Sequence, residues 1–470
     1  MKIILINPPN IVDLSFGSLR QFKNIDIGNY LPLGLLYIAA SIEHSSKHKV
    51  EIIDAQAEKL DFDSLRIILE RSLPDVVGVY TMSFTLFDSY KTAKIAKTVS
   101  KDIITILGGP HLAVYPDESA SLPYIDYIVC GEGEETIVEL LEAIEGRRSF
   151  ISVGGIGYKE NGKTILTHPR TAIKNLDNLP FPARHLLPPD RYYSIVGQKK
   201  ISTTIMASRG CPSNCYFCYI PYRTFRMRSA ENIVREIEIC VDAGIEEFFF
   251  FDENFTVSSR RVIEICDAII DKKLKIDFDI RSRIDTVNQI LLERLKEAGC
   301  KRIQFGVESG NEDVLKMMNK KITLKQVRDT FKLCHDAGIR TYADIIIGYP
   351  GEDIKQIWDT VDLIHEIDPD YVQVGITMHF PSTKIYIDAM ASDQLEDIWR
   401  EHAMNPQRDF KAPYASNRFT PEELENLQQK IIRGFYLRPQ YIFKRLKGVS
   451  GLIELVRGCK AGFRLLLQTL

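Results

Sequence analysis

Three segments of this chain end a helical run in the same way: DAGIEEFFFF, EAGCKRIQF and DAGIRTYADIII. Gly244, Gly299 and Gly338 each stand just past the helix, where the backbone enters the left-handed region that glycine occupies without penalty. Each glycine then hands the chain to a short run rich in Ile, Phe and Val. With ISTTIMASRG, KIDFDIRSR and YVQVGITMHF, residues 200 to about 385 hold six such runs. Repeated right-handed strand–helix units with buried strands predict a parallel barrel, here a partial (β/α)6 one. Function in such a fold lies at the C-terminal strand ends. Those ends are Arg209 onward, Asp252-Glu253-Asn254, Arg281, Glu308-Ser309, Gly348 and Thr377 to His379.

The first 145 residues alternate differently. KIILINPP, VEIIDAQ, DVVGVYTMS, DIITILGGP and IDYIVCGEGE read as five short strands, nearly continuous in Val, Ile and Leu. Strands covered on both faces have this look. With helical stretches between them they predict an α/β unit, a doubly wound parallel sheet of flavodoxin- or Rossmann-like type. Its strand ends gather small and polar groups: Thr81 and Ser83; Gly108, Gly109, Pro110 and His111; Gly131, Glu132 and Gly133. Residues 146–195, rich in Pro and Gly, read as a linker with one hairpin at Tyr158–Thr167 turning on Asn161-Gly162. The barrel then takes 196–390. A helical C-terminal region takes 391–470; its last forty residues are strongly basic, with only Glu454 acidic after residue 429.

The bulk numbers fit this organisation. At 470 residues, 45% hydrophobic and 26% charged, the chain is ordinary for a globular protein of several domains. A net charge of -3 does not advertise nucleic-acid binding. No run approaches the roughly 18 apolar residues of a membrane span, and MKIILINPPN is too short for a signal peptide. The expected location is cytoplasmic. Nine cysteines there are not a disulfide framework, and clustered ones suit metal.

One cluster exists: RGCPSNCYFCY, with Cys211, Cys215 and Cys218 directly after the first barrel strand. Thiolates are the ligands iron–sulfur clusters prefer. A structural zinc site wants four closed ligands, and only three are local here. Three thiolates on a four-iron cluster leave one iron open for chemistry; a three-Cys zinc site completed by a distant His is the competing arrangement.

C-x3-C-x2-C with Phe217 before the last cysteine resembles the radical S-adenosylmethionine (SAM) superfamily. FFFFDENFT, DIRSRID, GVESGNEDVLKMMNKKIT and GYPGE extend the likeness along the barrel. With the N-terminal sheet, nearly the whole chain is similar to cobalamin-binding-domain (B12-binding) radical SAM enzymes, a class that includes methyltransferases, the anaerobic Mg-protoporphyrin ester cyclases and hopanoid-modifying enzymes. The resemblance implies a [4Fe-4S] cluster on Cys211, Cys215 and Cys218, with SAM on the open iron and reductive cleavage to a 5'-deoxyadenosyl radical. It implies that Phe217 shields the cluster and packs near adenine. Asp252, Glu253 and Asn254 would meet the methionine end, and Arg281 its carboxylate, with Arg283 competing. Glu308 and Ser309 would meet the ribose, and Ile347 and Gly348 the adenine. A structural ion pair with a nearby Lys or Arg is the alternative for Glu308.

In the N-terminal sheet the resemblance implies cobalamin at Thr81, Ser83, Gly108, Gly109, Pro110, His111, Glu132 and Gly133. The D-x-H-x-x-G motif of many corrin-binding domains is absent; Asp13-Leu14-Ser15 lacks the histidine. The implied activity is cobalamin-dependent methylation of an unactivated carbon. Oxidative cyclisation or ring rearrangement of a hydrophobic or tetrapyrrole substrate is the alternative, and a non-catalytic corrin or metal sensor is a third. Partners would be a small-molecule substrate, lipidic if the tail serves it, and an electron donor such as flavodoxin or ferredoxin. The basic tail would also suit peripheral contact with an anionic membrane, or simple packing over the barrel.

Overall fold

The computed structural model describes residues 1–10, 28–194, 197, 199–220 and 223–447. Asp13-Leu14-Ser15 and the basic residues from 448 onward lie outside that range. The chain forms two units. In the described range the first takes residues 1–10, 31–191 and 389–411, and the second takes 28–30, 192–388 and 412–447.

The first unit is built on a seven-stranded sheet. Its strands are β1 (Lys2–Asn7), β2 (Lys49–Asp54), β3 (Val76–Tyr80), β4 (Ile104–Gly108), β5 (Tyr127–Val129), β6 (Ile156–Glu160) and β7 (Lys163–Leu166). The order is β2-β1-β3-β4-β5-β6-β7, and the first five are parallel. Helices α1 (Leu33–Ser45) and α5 (Gly133–Ile144) pack as one pair, α2 (Phe62–Ser72) and α3 (Leu86–Val99) as another, and α4 is Pro116–Ser121. The expected doubly wound sheet is present.

Two departures concern the expected linker and C-terminal region. The hairpin forms where Asn161 and Gly162, both at positive φ (51° and 75°), make the turn. It does not hang free: β6 pairs antiparallel with β5, Val129 opposite Ile156, and lengthens the sheet. Residues 389–411 also join this unit. Their helix, Ile398–Met404, carries Trp399, which is fully buried and meets Phe84 edge-on. The Tyr115 hydroxyl donates to Asp397 Oδ1 at 2.7 Å, and Arg400 pairs with Glu118.

The second unit holds six parallel strands in sequence order, β8 (Thr203–Ile205), β9 (Glu247–Phe250), β10 (Asp277–Ser282), β11 (Cys300–Glu308), β12 (Arg340–Ile347) and β13 (Tyr371–Ile376). Alternation along each strand divides two environments. Phe248, Phe250, Phe278, Ile280, Ile303, Phe305, Ile345 and Val374 form the core under the helices. The opposite face carries Phe249, Asp279, Arg281, Arg302, Gln304, Tyr342, Asp344 and Gln373, in register across the sheet. This inner face is polar and paired: Arg302 with Asp279, and Gln304 Nε2 with both oxygens of Asp344 at 2.9 and 2.8 Å. The three glycines cap as expected, with φ of 83°, 106° and 65° at Gly244, Gly299 and Gly338. A Cβ on Gly299 would stand 2.2 Å from the Ile276 carbonyl oxygen, so glycine is required twice over there.

The sheet does not close, which leaves β13 as an edge. The helix Pro421–Tyr436 covers it. The Tyr436 hydroxyl meets both the Val372 N–H (3.0 Å) and its carbonyl (2.8 Å), and Gln428 Nε2 donates to the Val374 carbonyl at 2.7 Å. Leu424, Ile431, Ile432 and Phe435 on the same helix enter the core. This part of the C-terminal region therefore packs on the sheet. No described helix is long and apolar enough to cross a membrane.

Candidate active site

The cysteine segment leaves β8 through a braced neck. Ser208 and Arg209 pair antiparallel with Arg226 and Met227. Asp252, fully buried at the end of β9, accepts the Ala207 N–H at 2.8 Å and the Ser208 hydroxyl. Arg261 donates to the Ala207 carbonyl at 2.7 Å. Burial outweighs Arg261 and these donors, and the Asp252 carboxyl is pushed up to about 6.

Beyond the neck, the segment is clamped to the turn that follows the helix Glu312–Met317. The Tyr216 N–H donates to the Met318 carbonyl (3.0 Å) and Asn319 Nδ2 to the Asn214 carbonyl (2.6 Å). Tyr216 and Phe217 pack on a small apolar cluster that contains Val314, Met318, Tyr349 and Ile385.

Cys211 and Cys215 are buried, Cys218 half-buried, and none is in a disulfide. Burial pushes the Cys215 thiol up, with Lys320 and Arg283 opposing; it pushes Cys218 to about 12, with the neighbouring thiols adding to the rise. Such thiols have little tendency to ionise alone, and metal binding is what displaces their protons. Among the described residues, no three His, Cys, Asp or Glu side chains converge on one ion-sized point. A cluster that spreads its ligands over several irons fits the donor set.

Two cations stand behind Cys215. Arg283, at the end of β10, points Nη1 at its sulfur from 3.8 Å. The same guanidinium donates to the Lys320 carbonyl (2.8 Å) and grips Asp285 through Nε and Nη2 (2.8 and 3.0 Å). Lys320 Nζ pairs with Glu308 Oε1 at 2.6 Å, both side chains buried. The ion-pair alternative for Glu308 is thus realised, and it orients the carboxylate at the strand end. Glu308 itself takes a φ of 68°, a strained value for a non-glycine residue.

The other strand-end residues divide by what they touch. Asn254 is buried, its Oδ1 accepting from the Arg283 N–H (3.3 Å) and the Thr256 hydroxyl (3.2 Å). Ser309 is buried against Thr360 at 3.1 Å. The Ile347 carbonyl accepts from the Thr377 N–H and hydroxyl. These three tie the frame together, as Asp252 does. Glu253 is exposed. Arg281 lies on the inner face with its guanidinium over Phe251 (4.5 Å) and Phe249 (5.2 Å), and Nε 3.4 Å from Gln304 Oε1. Gly348, at φ 75°, gives its N–H to Glu352 Oε2 at 2.7 Å. Glu352 is fully buried, also accepts the Tyr349 N–H, and leaves Oε1 without a partner. Burial pushes its carboxyl up to about 7. Asp344, beneath, is pushed up to about 7 by burial and by Glu308. Arg283's contact with Cys215, Lys320 and Glu352 were not singled out from the sequence. An acid four residues past Gly348 in GYPGE was the available signal for the last.

In the first unit, Thr81, Ser83 and His111 form one buried knot. His111 Nδ1 lies 3.0 Å from the Ser83 hydroxyl, and the Thr81 N–H donates to the Gly108 carbonyl at 2.7 Å. The His111 ring is wholly buried with Nε2 unpartnered, and burial lowers it to about 3, so it is neutral. Gly109, at φ 134°, is pressed against the Thr81 backbone; a Cβ there would stand 2.4 Å from Thr81 O. A Cβ on Gly108 would meet nothing within 4 Å, and Pro110 is exposed. Glu132 is buried and accepts the Ile173 N–H at 2.6 Å; Gly133 packs against Ile38. The open surface at this end is backbone, at Gly108 and Gly131. A large ring would rest on backbone there, and no imidazole of the described strand ends stands exposed to ligate it.

Two family descriptions match: the radical SAM superfamily over residues 205–364 and the B12 binding domain over residues 28–141. The chain is 33% identical to an uncharacterized methyltransferase of Pyrococcus horikoshii over 460 residues, 96% of each chain. It is 30% identical to the anaerobic magnesium-protoporphyrin IX monomethyl ester cyclase of Rubrivivax gelatinosus, covering 81% of this chain and 70% of the cyclase. Among solved structures, the cobalamin-dependent SAM radical enzyme OxsB, with aqua-cobalamin and SAM bound, superposes with a TM-score of 0.75 at 19% identity, covering all of this chain and 72% of OxsB. The radical SAM methyltransferase TsrM of Kitasatospora setae, with cobalamin and a [4Fe-4S] cluster, gives 0.71 at 15% identity over 94% and 90% of the two chains.

Proposed function

This chain belongs to the cobalamin-dependent radical SAM methyltransferase family, and from that premise we propose that it transfers a methyl group to an unactivated carbon of a small-molecule substrate. The observation that carries the reading is the braced thiol triad, two of its cysteines buried, at the end of the first barrel strand, with the B12-type sheet in the same chain. When bound, the cluster and cobalamin supply one-electron reduction of SAM and carriage of the methyl group.

The chain's own residues do the rest. Cys211, Cys215 and Cys218 are the cluster ligands. Phe217 and Tyr216 exclude water from them, as a radical reaction requires. Arg281, on the inner face beside aromatic rings and, among the described residues, without a carboxylate at ion-pair distance, binds the SAM carboxylate, a task suited to a planar fork. Glu308, held by Lys320, accepts from the ribose hydroxyls. The Gly348 turn, folded on Glu352, offers adenine its backbone. Asp252, Asn254, Ser309 and Ile347 position these groups from behind, and Glu253 completes the methionine end. In the sheet, Gly108, Gly109, Pro110, Glu132 and Gly133 line the cobalamin surface, and Thr81, Ser83 and His111 hold its loop.

The electron donor is a low-potential protein of flavodoxin or ferredoxin type, and the enzyme works in the cytoplasm. Similarity to the ester cyclase favours ring closure as the second reading. Anaerobic incubation with SAM and a reductant tests both. Failure of the reconstituted protein to form 5'-deoxyadenosine refutes both. A labelled SAM methyl group that enters product supports methylation, whereas turnover without label in product supports ring closure.

A further inference from the structure

Arg283 has a place that assignment of the cofactors does not explain. Its side chain is about 11% exposed, and it points an N–H at a cysteine sulfur, 3.8 Å from Cys215 Sγ. Its guanidinium is fixed from three sides: Asp285 takes Nε and Nη2, the Lys320 carbonyl takes Nη2, and Nη1 is left for the sulfur. Its backbone N–H is held by Asn254. A side chain so constrained cannot follow a moving ligand. Arg281, two residues earlier, lies within β10 and faces the barrel interior instead; the strand ends at Ser282, and Arg283 stands in the turn beyond it.

Charge and hydrogen bonds at a ligand sulfur set how readily an iron–sulfur cluster accepts an electron. A four-iron cube on three thiolates is negatively charged, and more so when reduced. A buried cation with an N–H on one sulfur therefore favours the reduced form. Asp285 opposes this, but its side chain is 29% exposed and faces water, while Arg283 faces the thiol. Lys320 is nearby, but Glu308 at 2.6 Å absorbs its charge.

We propose that Arg283 sets the reduction potential of the cluster through Cys215, with Asp285 as an attenuator. Arg283 is a positioning residue that acts on the cluster through Cys215. The step it controls is the arrival of one electron from an external low-potential donor, with no bond made or broken. The inference rests on the cluster assignment above.

Potentiometric titration of the reconstituted full-length protein, without SAM or substrate and followed by EPR, tests it. Arg283→Met lowers the reduced-to-oxidised ratio at a fixed potential at least tenfold, a shift of 59 mV for one electron. Arg283→Lys lies between Met and wild type. Asp285→Asn, which leaves the guanidinium in place, moves the ratio the opposite way by about threefold. A general packing defect cannot produce opposite signs. If cluster-loaded variants all titrate within twofold of wild type, the inference is wrong. Should Arg283→Met fail to hold iron, Arg283→Lys and Asp285→Asn decide in its place. Wild-type protein that forms no four-iron cluster overturns the cluster assignment itself, a result read from its iron content before any titration.

Discussion

Replacing Lys320 with Met removes one partner of a buried ion pair and leaves Glu308 in place. The two side chains are 5% and 9% exposed, with Nζ and Oε1 2.6 Å apart. At that distance the gross attraction is ~6 kcal/mol for an effective dielectric of ~20. Most of it offsets the lost hydration of both ions, so the intact pair contributes little net stability. Lys320→Met forfeits the attraction while the carboxylate stays dehydrated, and the expected loss is about 3–5 kcal/mol. Glu308 also holds a φ of 68°, and an unpaired carboxylate there gains by turning out to water. SAM affinity falls with it if Glu308 binds ribose. The double variant Glu308→Gln/Lys320→Met removes both charges and is more stable than Lys320→Met alone. Urea denaturation of the four proteins gives the coupling, and equilibrium dialysis gives SAM affinity. A cycle that closes additively, to within roughly 0.5 kcal/mol, would refute the buried-pair account.

Glu352 gives a pH signature. Its carboxyl is raised to about 7 in the folded protein, so the native state holds a proton that the unfolded chain releases near its ordinary 4.5. Stability is therefore greatest below about 4.5 and declines as pH rises through about 7; the full difference is about 3 kcal/mol at 1.36 kcal/mol per unit. Glu352→Gln flattens that part of the profile, measured as melting temperature from pH 5 to 8; an unchanged slope counts against it. Asp252→Ala orphans the Ala207 N–H and the Ser208 hydroxyl at the neck of the cysteine segment and removes the carboxylate 3.9 Å from Arg261. It costs about 3 kcal/mol or more and lowers the iron bound after reconstitution, whereas Asp252→Asn, which keeps an acceptor, retains most of it. Tyr436→Phe leaves the N–H and carbonyl of Val372 without their hydroxyl partner on the β13 edge. The expected cost is about 1–3 kcal/mol, read by chemical denaturation, and fast hydrogen exchange at Val372 would accompany it.

Much of this arrangement could be read from local sequence. The glycine caps, the strands they feed and the hairpin at Asn161-Gly162 are short-range features, with pattern and turn chemistry in one stretch of chain. The cysteine triad is equally local. What could not be read depends on distance or on facing. Nothing within 146–195 says that the hairpin docks on β5, because that pairing joins Val129 to Ile156 across a helix. Nothing near residue 400 says that Trp399 belongs with Phe84. In Arg281-Ser282-Arg283 the sequence presents two arginines of equal standing, and only the end of β10 at Ser282 separates the one that faces the interior from the one that meets the thiol. Polar strand ends invite a reading as ligand contacts, yet Asp252, Asn254 and Ser309 spend their side chains on neighbouring backbone and hydroxyls. A buried polar residue must satisfy its own hydrogen bonds, whether or not a ligand is near.

The inclusion of residues 389–411 in the first unit has a consequence for synthesis. On the ribosome the strands of that unit emerge early, but the segment bearing Trp399 and the Asp397 partner of Tyr115 is translated some two hundred residues later. Until then, the surface around Phe84 and Tyr115 lacks its cover, while the whole barrel is made in the interval. Nascent chains therefore pass through a stage with exposed apolar surface, the kind of species that chaperones bind. Cutting the gene after residue 191 would make that stage permanent, so a B12-binding fragment meant to stand alone must carry 389–411 grafted onto it.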